Sequence, residues 1–246
     1  MLAKFIMALK EDNMNLISRR QLLALLSLPA GCSLQPLTPV NVRVGQLQTP
    51  LGPVRPPAIG QSWTYKQLNH YNAQLLDTVK EEISAIGPSV IVQRQSAQSG
   101  ALPSEIHAHW GQVQQDPYWD LLQTYETPIP LWLAPLDTGT RQKIETHYRV
   151  GTSAFRYWLQ AHIQVMGRET VDLPVGSFQT IRIEKLIRQT HADSSKLFLL
   201  RRETLWLAPE IGRWVVRETN GSFRRSGKKL DEGLEDHFRW ELTAWA

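Results

Sequence analysis

Between Phe155 and Val165 every second residue is apolar: Phe155, Tyr157, Leu159, Ala161, Ile163 and Val165. A period of two, not 3.6, places these side chains on one face of an extended strand and excludes an amphipathic helix. Shorter stretches of the same alternation recur at residues 63–67, 79–85, 90–94, 143–150, 178–189, 197–207, 213–218 and 238–244. Residues 106–110 suggest a further strand. Residues 118–125, bracketed by Pro117 and Pro128, read as a strand or one helical turn. Turn residues separate the runs. Gly87-Pro88 breaks one. Leu173-Pro174-Val175-Gly176 sets proline and glycine at the first and last corners of a type I turn. Ala208-Pro209-Glu210-Ile211-Gly212 does the same, and Asn220-Gly221 is a strong hairpin signal. No strand–helix alternation and no internal repeat occurs. Roughly ten strands in succession predict a mainly β fold, an antiparallel meander. Such a sheet must curl into a half-barrel or barrel-like form to hide its edges.

The nine tryptophans limit what can lie on the two faces of that sheet. Large aromatics fill a core beneath a curled sheet or line an apolar ligand cavity. Trp158 falls opposite the Phe155–Val165 face, so the longest strand predicts a covering on both sides.

The amino-terminal stretch has a different texture. Arg19 and Arg20 precede the apolar run Leu22 to Leu28, followed by small residues and Cys32, the only cysteine of the 246 residues. Charged, apolar and small-residue regions in that order read as a cleavable export signal. The run is too short to span a bilayer, which takes about 20 residues. Leu28-Pro29-Ala30-Gly31-Cys32 resembles the lipobox of bacterial lipoproteins, with Pro29 where an aliphatic residue is usual. The resemblance implies that residues 1–31 are removed, that the Cys32 thiol is lipidated, and that the new terminus is acylated (palmitate). Stable anchoring needs more than one acyl chain, and a triacylated terminus supplies it. The alternative is a plain cleavable signal with an incidental cysteine. Arg19-Arg20 also resembles a twin-arginine signal, which implies export after folding. Met14 would open a signal of ordinary length. Ser33, where an aspartate resembles an inner-membrane retention mark, points to the outer membrane over the inner. Residues 32–58 then read as a proline-rich tether, carrying Pro36, Pro39, Pro50, Pro53, Pro56 and Pro57. Residues 59–246 form the β-domain, on the periplasmic side of the membrane that holds its anchor.

Charge excludes one class of partner. Loss of Lys4, Lys10, Glu11, Asp12, Arg19 and Arg20 with the signal leaves 23 basic and 21 acidic residues. That near balance gives no electrostatic footprint for nucleic acid. The basic pairs Arg201-Arg202, Arg224-Arg225 and Lys228-Lys229 either keep strand edges solvated or face anionic headgroups, at about 1 kcal/mol per charge close to the surface.

Chemical motifs are sparse. Gly151-Thr152-Ser153-Ala154-Phe155 lacks the closing glycine of a nucleophile elbow. There is no phosphate-cradling glycine loop and no His-Glu-x-x-His. His107 and His109 lie two apart, so on a strand both imidazoles face one side and suit a Zn²⁺ or Cu²⁺. A third ligand would come from His70, His147, His162, His191 or a carboxylate. The plainer reading is two solvated histidines. Glu81 and Glu82 point to opposite faces and form no acid pair. The sequence therefore predicts no catalytic residue and no cofactor.

Three segments carry a wider likeness: Gly60-Gln-Ser-Trp63-Thr-Tyr65, Val171-Asp-Leu-Pro174-Val-Gly176-Ser-Phe178, and the stretch from Leu205 to Val215 containing Pro209-Glu-Ile-Gly212. They resemble motifs of an uncharacterised bacterial family of exported proteins and lipoproteins, a domain of unknown function without assigned catalytic residues. A broader likeness, of architecture alone, is to curved-sheet envelope carriers whose half-barrels enclose an acyl chain. Three functions are compatible with these features. One is a non-enzymatic envelope lipoprotein that binds a protein partner or has a structural role. Another is a carrier or sensor of an apolar ligand such as a lipid. The last is a metal or hydrolytic site at His107 and His109. An integral outer-membrane barrel is disfavoured by interrupting prolines and short charged runs.

Overall fold

The computed structural model describes residues 37–44, 51–225 and 232–246. Its strands are β1 (Val42–Arg43), β2 (Ser62–Asn69), β3 (Leu75–Ile86), β4 (Val90–Ser96), β5 (Gly100–His109), β6 (Gln112–Asp116) and β7 (Gln123–Pro130). They continue with β8 (Arg141–Val150), β9 (Tyr157–Leu173), β10 (Gly176–Thr190), β11 (Lys196–Ala208), β12 (Arg213–Arg225), β13 (Glu232–Leu234) and β14 (Phe238–Trp245). A single 3₁₀ turn, Pro209–Ile211, interrupts them. From β2 to β12 each strand pairs antiparallel with the next, and β14 lies between β12 and β2. Pairing of β8 with β9, Tyr148 opposite Tyr157 through Arg141 opposite Gln164, shuts the ring. The expected curled meander is thus a closed barrel of 12 antiparallel strands.

Closure removes every edge of the ring, and the sequence supplies the bends it needs. Most neighbouring pairs carry a register shift; on β9 it falls between the partners of Arg182 and Ile183, leaving Met166 unmatched on β10. Such bulges increase local twist and coil the sheet. Along β9, Leu159, Ala161, Ile163 and Val165 are buried, whereas Gln160, His162 and Gln164 are not. On β3, Val79, Glu81 and Ile83 are buried between Lys80, Glu82 and Ser84. The outward positions are polar, so these strands offer no lipid-facing apolar band.

Four expectations change in detail. Phe155 does not share the buried face: β9 begins at Tyr157, and Phe155 is 74% exposed in the preceding turn. Residues 118–125 are neither one strand nor a helical turn. They split into a loop and the start of β7, which runs through Pro128 where the chain has no register partner on β6 or β8. There a missing amide donor costs nothing. Asn220-Gly221 is not a hairpin but the interior of β12. Gly221 is required there for space, since a Cβ would stand 2.6 Å from Glu235 Oε2 and 2.8 Å from the Leu200 carbonyl. Finally, the described parts of the proline-rich stretch are docked, not free. β1 pairs with β9, the Arg239 guanidinium donates to the Thr38 carbonyl at 2.6 Å, and the Leu37 amide faces His70 O at 3.5 Å. Val40, Val42, Leu51 and Val54 pack against the core and supply the burial that holds it.

The two ends of the barrel differ. At one, the Arg55 amide donates to Pro209 O at 2.8 Å and Trp110 Nε1 donates to Arg55 O at 3.1 Å. Gln61 Nε2 and Trp63 Nε1 both donate to Ile211 O. This end is plugged. The other end carries residues 70–74, 97–99, 117–122, 151–156 and 191–195 and the chain after β12, and it holds a cavity.

Candidate functional site

The parity that buries apolar side chains also carries charge inward. Glu81 sits between Val79 and Ile83 on β3, Arg94 follows Val92 on β4, and Lys185 lies between Ile183 and Ile187 on β10. Arg201 and Glu203 take the same register as Leu199 and Leu205 on β11. Glu105 and His107 come from β5, and Arg213 and Arg217 from β12; all are buried.

These groups form a shared network, five cations on four carboxylates. Arg94 Nε lies 3.1 Å from Glu81 Oε1, and Arg213 Nη2 lies 2.7 Å from Glu81 Oε2. Arg213 also pairs with Glu105, and the Tyr118 hydroxyl with Glu81. Glu203 accepts from Arg217 Nε at 3.0 Å and faces Lys185 Nζ at 2.8 Å. Arg201 Nε reaches Glu235 Oε2 at 3.1 Å, and its Nη1 donates to the Tyr118 carbonyl at 3.2 Å. Aromatic rings complete the set: the Arg94 and Arg217 guanidiniums stand 4.2 and 3.9 Å from the Tyr118 ring centre, and Arg201 stands 3.6 Å from that of Trp119.

Electrostatics follow from burial and pairing. Burial alone would push the Glu203 carboxyl up; Arg217 and Lys185 override it and hold it at about 2. Burial also opposes ionisation of Glu105, yet Arg213 and His107 keep it well below the ordinary range. The Tyr118 and Tyr125 hydroxyls, pushed up by burial and then by Glu81 and Asp116 respectively, stay protonated. Glu105 and Glu203 are therefore held as carboxylates near neutral pH.

Above the network, the open end forms a cavity of about 640 Å³. Arg94 and Arg201 belong to its lining, as do the rings of Tyr118, Trp119, Phe223 and Trp240. Tyr118 meets Trp240 edge to face at 5.5 Å. Asp77, Asp120, Glu235 and Asp236 add acceptors, and Lys196 is paired with Asp120 at 3.0 Å. Each of these cations already has a carboxylate, and Asp77 and Asp236 are left over as acceptors, so the cup does not suit an anionic ligand. Ring faces would take its apolar surface and the polar rim its hydrogen bonds.

Cys32 lies outside the described residues, as do Lys228 and Lys229. His107 and His109 do not share a site. The His107 ring is buried, with Nδ1 accepting from the Gly111 amide at 3.1 Å and Nε2 3.3 Å from Glu105 Oε1. His109 is exposed, because the β5–β6 register shifts between the two. Arg201 is not at a solvated edge but in a buried ion pair, and Glu81, dismissed as half of an acid pair, is the centre of the network. Arg94, Lys185, Glu203, Arg213 and Arg217 were unforeseen. The signal that marks most of them is a charge in the apolar register of a strand.

No known family profile matches the chain, and no curated protein does. Two crystal structures are similar to it. A candidate lipoprotein from Parabacteroides distasonis superposes with a TM-score of 0.50 at 12% identity, covering 80% of this chain and 100% of its own. The hypothetical lipoprotein YmcC from Escherichia coli gives 0.41 at 11% identity, over 74% of this chain and 83% of that one. At 12% identity the likeness to the first is one of fold alone.

Proposed function

We propose that this chain is a lipid-anchored protein of the bacterial cell envelope, acylated at Cys32, whose barrel is a non-enzymatic binding module. The open cup takes a polar ligand with an apolar face and no negative charge. The observation that carries this reading is the cavity of about 640 Å³ set over an interior filled with a network of ion pairs. A carrier that threads an acyl chain along the barrel axis is disfavoured for the same reason: hydrocarbon is a poor neighbour for buried charges. The lipobox-like segment and the lipoprotein descriptions of the two structural neighbours support an envelope location, with the outer membrane favoured by Ser33.

One preparation tests both halves. Protein is extracted from its own envelope after growth on radiolabelled palmitate and analysed by native mass spectrometry. Label should enter the wild type and not Cys32→Ala, and the barrel should retain a polar small molecule. Label in the variant overturns the anchor, and a retained fatty molecule overturns the cup.

A further inference from the structure

The exposed apolar side chains are not spread evenly. Tyr71, Leu75, Leu121, Phe155, Phe198 and Leu234 all lie at the open end, in or beside five of its six connections. Away from that end the described large apolar residues that are exposed are fewer: Ile59, Ile86 and Trp245 at the plugged end, and Val44, which follows β1 beside the last third of β9. Phe155 and Leu234 are 74% and 71% exposed, so this is a deliberate rim and not a frayed core. Exposed apolar groups gathered in one place mark an interaction surface. Beside the rim an outer groove of about 390 Å³ is lined by Trp158, Phe198, Leu200 and Phe223 and flanked by Arg188 and Arg224, with Glu232 as the one carboxylate against these two cations.

The chain's own course indicates what meets this rim. Leu37 is held beside His70, in the β2–β3 turn of the same end. Only four residues lie between it and Cys32, five Cα steps with a reach of at most about 18 Å. We infer that the open rim rests on the bilayer surface, with its aromatic and aliphatic tips in the interfacial layer, the Arg188–Arg224 groove against anionic headgroups, and the cup facing the membrane. This inference rests on acylation of Cys32 for its orientation. It gives the protein a second membrane contact, made by the barrel itself. The ligand of the cup is then taken at the bilayer surface and not from bulk solution.

Single cysteines at Tyr71, Phe155 and Phe198, and controls at Ile59 and Ile86, carry an environment-sensitive fluorophore in the full lipoprotein. Acylation blocks the sulfur of Cys32, so each introduced thiol is the only reactive one. The protein is reconstituted in phosphatidylethanolamine–phosphatidylglycerol vesicles with doxyl-labelled lipid. Rim labels should shift to the blue and be quenched at least about twofold more than the controls. Equal quenching at the two ends overturns the proposal. So do rim labels that are already shielded in detergent and untouched by doxyl lipid, because a second copy or a protein partner then covers the rim. If palmitate labelling finds no acyl chain, the anchor has failed on its own. The rim is then read with labelled Cys32→Ala chains mixed with the same vesicles, where absence of a rim-selective shift overturns it.

Discussion

Glu203 concentrates the chemistry of the interior in one carboxylate. It is the carboxylate that Lys185 and Arg217 share, so Glu203→Gln leaves both buried cations without it. Breaking a buried pair by removing one partner costs about 3–5 kcal/mol. Denaturant titration of the variant should show a loss of that size. Acid should do the same to the wild type. The folded carboxyl titrates at about 2, below its unfolded value. Its contribution is therefore complete above the unfolded value and disappears as pH falls toward 2, amounting to about 3 kcal/mol over that window. Midpoints of urea unfolding measured down that range should fall in the wild type and flatten in Glu203→Gln. These residues were readable in principle. Leu199-x-Arg201-x-Glu203-x-Leu205 places two charges in an apolar register, which only a polar-cored barrel accepts. Which cation meets which carboxylate was not readable, because Glu81 and Arg213 are 132 residues apart and meet only through closure.

Elements were legible where local chemistry decides them. Leu173-Pro174-Val175-Gly176 joins β9 to β10 where a turn is predicted, because nothing distant competes with it. Asn220-Gly221 has an equally good local signal and fails, because β12 must continue to pair with β11 and β13. Its glycine serves the approach of Glu235 to Arg201. Gly221→Ala should push that carboxylate away and cost about 1–3 kcal/mol, the usual penalty for overpacking. Hydrogen exchange should locate the damage in β13 and around Arg201, leaving β3 and β4 protected. His237, stacked on His70 at 3.8 Å in the same region, is held at about 4 by burial, His70 and Arg239. Its depressed value favours folding above its ordinary range, and that support is lost as pH falls toward 4. His237→Phe should remove this part of the pH slope, measured as thermal midpoints across the window.

For the molecule as a whole, the ring is the unit of stability. With one cysteine and no disulfide, reductant should leave the thermal midpoint unchanged. Closure must bear the load instead. The pairing of Phe238 with Asn69 joins the last strand to the first of the ring. Deleting residues 238–246 should expose β2 and β12 as edges, and size-exclusion chromatography should find aggregates in place of a monomeric barrel. The sequence made the curling legible but not the full circle, because a half-barrel and a closed one share the same alternation.

That seam has a consequence for how the protein comes into being. β2 is made early and waits for β14, some 170 residues later, before its second side is covered. A chain fed outward from its amino terminus spends that interval with an unpaired strand in view of whatever holds it. No stalled or shortened product can satisfy itself, so completeness is checked by geometry alone: the cylinder exists only when the final segment arrives.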